Sequence, residues 1–332
     1  MNYENIKLEK GMYGIGNKSF TSVLENLDPS ENYKGTNLEK LDAYQRQLKR
    51  FGIKVSGAGA DAVEKFFGTS ESAVLFPEYI ARAVKQGITS NSVLPSVIAA
   101  KTIIGGIDYR TVQSSTDSQP SSNAVAEGAE LRKVNVTTDP NLVKLIKHGR
   151  VFSSSYEAIR FQNLEVLTVI LKKIGSDIAS EQLEDVLAVI SKDITMIDVS
   201  DSAKGKLSYN HLLQFWAELN PYKLNVMVAS NLSVRDILAV SEMQDALAGL
   251  DFQVSGKLVT PLGAQLICAP SMKNSGIIYG FDKNCALQMI QSGGIIIDHD
   301  KIIDRQLERA AITVTAGFSK IFANSVKMLA YA

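Results

Sequence analysis

Asp298-His299-Asp300 sets three proton- or metal-binding groups side by side. In an extended segment neighbouring side chains point to opposite faces, so these three cannot converge on one ion. The run reads instead as a solvated turn after Ile295-Ile296-Ile297. Cys268 and Cys285 have no Cys or His at zinc spacing and read as small buried hydrophobes. His148-Gly149-Arg150 has groups that could touch a phosphate, yet it fits better as a glycine-hinged bend from strand to helix. His211 shares a predicted helix with Leu212, Phe215 and Trp216, where a packed or half-exposed ring is expected. Gly11 to Gly16, G-M-Y-G-I-G, departs from G-x-G-x-x-G and follows no strand. No G-x-S-x-G elbow and no Walker A string occur. No catalytic, cofactor-binding or metal-binding residue is assigned, and no cofactor is expected.

Composition bounds the framework that holds these residues. A chain of 332 residues is long enough for one large domain or a few smaller ones. Hydrophobic residues at 45% and charged residues at 21% suit a protein with a real core. Lys+Arg and Asp+Glu both number 35, so no overall field draws the chain toward nucleic acid or an anionic membrane. No basic stripe of the kind that neutralises phosphates is present. The opening from Met1 to Lys7 is mixed in charge, unlike a secretory signal, and the aliphatic runs are far too short to span a bilayer. Two cysteines exclude a disulfide framework and point to synthesis in a reducing, intracellular setting.

The dominant predicted element is a helix. Leu164, Leu167, Leu171, Ile174 and Ile178 step by three and four, and Leu183, Val186, Leu187 and Ile190 resume the pattern. An extended segment from Val136 leads into it, and the rod is expected to cover about 35 residues and about 50 Å. A typical globular helix is about a third as long, so this one predicts an elongated subunit packed by neighbours. Residues 1 to about 70 contain one amphipathic helix, with Leu41, Tyr44, Leu48 and Phe51 on one face and Lys40, Arg46, Lys49 and Arg50 on the others. The Ser56 to Ala60 break follows. This is expected to be an arm that orders against a partner, not an independent core. Ala73 to Phe76 reads as a short strand. A helix from Glu78 to Gln86 then starts at Pro77 and closes at Gly87, burying Phe76, Ile80, Ala83 and Val84.

Gln113 to Glu127 is serine-rich and nearly without large apolar residues. Strand-like segments at Ile107 to Val112 and Leu131 to Thr137 flank it, which predicts a long projecting hairpin. Beyond Lys192-Asp193 an α/β portion is expected. Its strands are the alternating Leu224, Val226 and Val228, then Gln265 to Cys268 and Ile277 to Phe281, and its helix runs from Leu232 to Leu247. Ala310 to Thr315 is apolar and β-branched, and an apolar tail follows at Ile321, Phe322, Val326 and Leu329.

This order of elements resembles the major capsid proteins of tailed bacteriophages, which share the Hong Kong 97-like fold. Three strings carry the likeness: S-A-V-L-F-P-E-Y-I-A-R-A-V-K-Q-G (Ser72 to Gly87), H-G-R-V-F-S-S-S-Y-E-A-I-R-F-Q (His148 to Gln162) and I-I-D-R-Q-L-E-R-A-A-I-T-V-T-A-G-F-S-K-I (Ile302 to Ile321). The resemblance implies an α+β fold with residues 1–71 as N-terminal arm and 72–104 as the segment from arm to peripheral domain. It makes 105–132 the E-loop hairpin, 133–195 the peripheral domain with its spine helix, 196–302 the axial domain, and 303–332 the return to the peripheral domain. It also implies self-association as pentamers and hexamers into an icosahedral virion shell around double-stranded DNA, assembled in the bacterial host cytoplasm. Scaffolding, portal and possible decoration proteins are the implied partners, with no membrane. An arm and a hairpin cost conformational entropy when ordered, which is offset when they lie across neighbours in rings of head-to-tail subunits. On this reading both hide on other copies and never on their own body.

Some relatives cross-link their shells through an E-loop lysine. Here no lysine occurs between Thr102 and Arg132, and Arg110 is the only basic residue in that window, so no covalent cross-links are expected. The arm is shorter than one with a fused scaffolding segment, so scaffolding is expected on a separate protein. Two other readings remain: an encapsulin-type nanocompartment shell protein of the same fold and, more remotely, a soluble α/β enzyme.

Overall fold

The periodicity at Leu164 to Ile190 becomes one helix of 27 residues in the computed structural model, about 40 Å long at about 1.5 Å per residue. It is shorter than the sequence suggests because a strand occupies Ile146–Ser155 upstream. Asn163 sets its start, where Oδ1 accepts the Glu165 N–H at 2.7 Å. Just past its end Asp193 takes a left-handed φ of 46°, which turns the chain away. The structure describes residues 3–14, 19–57, 59–115, 127–128, 135–155, 157–158, 161–203, 206–244, 258–272 and 276–331.

Eleven strands are described: β1 (Ala100–Ile104), β2 (Val112–Ser115), β3 (Asn135–Thr138), β4 (Ile146–Ser155), β5 (Thr195–Asp198), β6 (Val226–Ala229), β7 (Gln265–Cys268), β8 (Ile277–Phe281), β9 (Leu287–Ile302), β10 (Leu307–Lys320) and β11 (Val326–Ala330). They form a four-stranded sheet in the order β1-β9-β10-β4, a five-stranded sheet in the order β5-β11-β8-β6-β7, and a β2-β3 ribbon. The expected strands at Gln265 to Cys268 and Ile277 to Phe281 fall where the sequence places them. The fold is mixed α+β.

The chain divides into two compact units. The first holds residues 1–92, 148–179 and 295–314. Its core joins Leu164, Leu167, Leu171 and Ile178 of the long helix to Phe76, Tyr79, Ile80, Ala83 and Val84, and to Ala310, Ile312 and Val314 of β10. The Phe76, Ile80, Ala83 and Val84 stripe is thus buried as read. Residues 73–76, however, are not a strand. A short helix at Ser70–Ala73, capped by Thr69, leads into a helix at Phe76–Asn91 with Pro77 in its first turn. Gly87 does not end that helix but lies within it. A Cβ there would sit 2.2 Å from the Lys172 carbonyl oxygen, and one on Gly175 would sit 2.3 Å from that of Val84. The two glycines are there to let two helix backbones touch. Likewise Gly149 is no hinge: His148-Gly149-Arg150 lies inside β4, and a Cβ on Gly149 would lie 2.6 Å from the Ile312 oxygen of β10.

The N-terminal segment departs most from expectation. Leu8, Phe20, Leu24, Tyr44, Leu48, Val63 and Phe66 join the core of the first unit, so this segment packs on its own subunit. Arg46, which the periodicity places off the apolar face, is fully buried.

The second unit holds residues 93–147, 180–294 and 315–332. Within it β6 is central, antiparallel to β8 and parallel to β7. All four β6 residues are buried, because Val226 and Val228 enter one core while Met227 and Ala229 enter another on the opposite face. Half-burial, which alternation predicts, does not apply to a strand covered on both sides. The predicted helix from Leu232 to Leu247 is Asn231–Leu238 followed by a short turn at Ser241–Gln244, and 245–247 lie outside the described residues. The predicted hairpin is anchored by β2 and β3, paired Val112 to Thr138 through Ser115 to Asn135. Its flank at 107–111 is not strand, and its tip at 116–126 lies outside the described residues.

Candidate functional site

The polar side chains built most deliberately into the first unit fasten residues 3–50 to the helix at Phe76–Asn91. Arg46 Nε donates to Asp28 Oδ2 at 2.7 Å, its Nη groups donate to the carbonyl oxygens of Leu41 and Asp28 and to Ser30 Oγ, and its guanidinium lies over the Tyr33 ring. Tyr33 donates its hydroxyl to Asp28 at 2.6 Å. Burial, followed by that bond to a carboxylate, pushes its pKa up to about 12. Burial works against the Glu25 carboxylate, but the Ala43 N–H, the Ser30 hydroxyl and N–H and the nearby Arg46 hold its pKa below the usual range. Arg82 Nη1 donates to Asp42 at 2.7 Å, while its other groups reach Glu78 and Thr21. These contacts satisfy buried charge and position the segment.

The surface tells another story. Phe161, Val166, Val169 and Ile170 are 77%, 52%, 64% and 48% exposed. Val166, Val169 and Ile170 share one face of the long helix, opposite Leu164, Leu167 and Leu171. The three on the helix make a stripe that water does not favour, and Phe161 just before the helix is exposed as well. In the same unit Val151 of β4 and Ile296 of β9 are 65% and 53% exposed. The second unit exposes Ile103 of β1 and Trp216 in the same way. Sequence reasoning assigned Leu164, Leu167 and Leu171 to the buried face but left the outer stripe unnoticed. A helix apolar on two faces is its signal.

The residues first considered for chemistry stand apart. Asp298-His299-Asp300 lies within β9, not in a turn, and Asp300 accepts from Arg309 at 3.2 Å. Cys268 and Cys285 are half-buried, burial raises both thiol pKa values, and Asp282 further raises that of Cys285. His211 sits in the first turn of a helix at Tyr209–Glu218, where Nδ1 accepts the Ser208 N–H at 3.3 Å and completes a capping box. His148 and Arg150 lie along β4, and Gly16 is outside the described residues. The structure brings none of these together. Among the described residues, no three metal-binding side chains cluster and no helix is long and apolar enough to cross a membrane.

What this arrangement resembles is settled by its backbone. A virus-like particle from Pyrococcus furiosus superposes with a TM-score of 0.50 over 76% of this chain and 98% of that one, at 13% identity. The fold is Hong Kong 97-like. The holo-SrpI encapsulin complex from Synechococcus elongatus PCC 7942 gives 0.51 over 73% and 88% at 11% identity. Microbacterium phage Oxtober96 gives 0.50 over 73% and 91% at 8% identity. No family model matches the chain, and no curated protein matches it. The Hong Kong 97-like fold is thus common to phage, virus-like and encapsulin shells and to this chain.

Proposed function

We propose that this chain is the major capsid protein of a tailed bacteriophage, a non-catalytic structural protein. Many copies associate as pentamers and hexamers into an icosahedral shell around double-stranded DNA, assembled in the host cytoplasm. The observation that carries the reading is a Hong Kong 97-like fold whose long helix and sheets present exposed apolar side chains, led by Val166, Val169 and Ile170. Such side chains gain about 25 cal/mol per Å2 when covered, which neighbouring copies would supply. In this reading residues 105–132 are the E-loop, 133–195 with 303–332 the peripheral domain, and 196–302 the axial domain. Residues 1–71 correspond to the arm, held together within by Arg46 and fastened to its own subunit by Arg82. Scaffolding, portal and any decoration protein are separate chains.

An encapsulin-type shell is the second reading, supported by the equal likeness to the encapsulin complex. Particle contents separate the two. The chain is expressed with and without its neighbouring genes, and negative-stain microscopy and nuclease-resistant DNA are recorded. Shells that take up double-stranded DNA support the phage reading, whereas shells enclosing an enzyme and no DNA overturn it. With no lysine between Thr102 and Arg132, boiled particles should run as one band near 36.1 kDa, and a ladder of larger species would contradict the absence of cross-links.

A further inference from the structure

A groove of about 1280 Å3 opens in the second unit between the end of the long helix, the chain before β4 and the end of β10. It exceeds the usual size of a small-molecule pocket, about 300–1,000 Å3. Its apolar wall includes Leu142, Val189 and Ile321. Lys144, Lys192 and Lys320 also line it, and none of the three forms an ion pair among the described residues. The Lys320 ammonium donates to the Lys192 carbonyl oxygen. Burial lowers its pKa, and the Asp193 charge offsets this only in part. The Ser319 hydroxyl, buried in the same wall, has no hydrogen-bond partner among the described residues. Of the other charged residues in the wall, Lys327 pairs with Glu218, outside it, and Asp139 accepts the Asn141 N–H at 2.8 Å.

We propose that this groove docks an acidic, aliphatic peptide segment of a partner protein. Carboxylates on the segment meet the Lys144, Lys192 and Lys320 ammonium groups, and its aliphatic side chains meet the apolar wall. Nucleic acid fits less well: Asp139, Asp185 and Asp193 also line the groove and would repel a continuous phosphate backbone, whereas a peptide can space its charges between them. Tyr222 and Phe322 pack tilted against each other, with ring centroids 6.3 Å apart. The inference does not depend on the shell reading.

The test is fluorescence anisotropy on the full chain. The probes are a labelled peptide alternating Glu and Leu, its Lys and Leu counterpart, and a labelled DNA duplex. The acidic peptide should bind, weakly at high salt, and the other two should not. Lys144→Glu combined with Lys192→Glu should weaken binding about tenfold or more, while Lys101→Glu, outside the groove, should leave it unchanged. Circular dichroism checks that each variant is folded, and Lys320→Met serves as a second groove variant if the double variant is not. DNA binding equal to or above that of the acidic peptide, no acidic-peptide binding, or binding indifferent to the groove lysines would each overturn the proposal.

Discussion

At Arg46 the cost of a buried charge is weighed against four acceptors and a ring. Its guanidinium is fully buried, yet Asp28, Ser30 and two carbonyl oxygens take its hydrogens and Tyr33 covers its face. Removing one partner of such a pair typically costs about 3–5 kcal/mol, because the other charge stays buried. Arg46→Met should therefore lower the unfolding free energy by about that amount in a urea titration, and a change within about 0.5 kcal/mol, typical of surface sites, would mean the side chain is solvated. Acid acts on carboxyls in both units. The carboxyls of Glu25 and Asp282 are both held below the ordinary range, against burial, by hydrogen bonds from N–H groups and neighbouring side chains. A depressed folded pKa means the native state binds fewer protons than the unfolded chain near about pH 4. The stability these groups add is fully present above that pH and is lost as pH falls through their folded values. The urea midpoint should thus be level between pH 6 and 7 and drop on acidification toward pH 3. A midpoint that rises on acidification would contradict this assignment.

At the scale of elements, the long helix works on two faces at once. Its inner face holds the first unit together where Gly87 and Gly175 let two backbones touch. Gly87→Ala forces a methyl group to within 2.2 Å of the Lys172 oxygen, and overpacking of this kind typically costs about 1–3 kcal/mol. Its outer face should matter only between copies. Replacing Val166, Val169 and Ile170 by Glu together should leave the melting temperature of the dispersed chain within a few degrees, since those side chains touch little, yet abolish large assemblies by sedimentation. If the triple variant assembles normally, the stripe is not an interface. The sequence made this helix legible through its three-and-four spacing, but not its start, because Asn163 and a strand upstream, not periodicity, decide where it begins. Gly87 and Gly149 misled for a related reason. A glycine that permits close approach between elements distant in sequence looks the same as one that ends a helix or bends a chain. Arg46 was illegible because its partner Asp28 lies in a different helix-to-loop segment, and only tertiary packing buries both. The strands Gln265–Cys268 and Ile277–Phe281 could be read because their own runs of apolar residues are bounded by polar or turn-forming ones.

For the molecule as a whole, the N-terminal segment changes what the proposed assembly would have to accomplish. Because residues 3–66 already bury Leu8, Phe20, Leu24, Tyr33 and Phe66 within their own subunit, they need no neighbour in order to fold. The apolar stripes and the hairpin base are then the elements left for other copies to cover. Light scattering of the purified full chain across a range of concentrations, with electron microscopy of the same samples, tests this most directly. The account predicts growth from a species near 36.1 kDa to rings and closed shells as concentration rises. A particle that stays at the mass of one chain at every concentration, with nothing larger seen by microscopy, would contradict it.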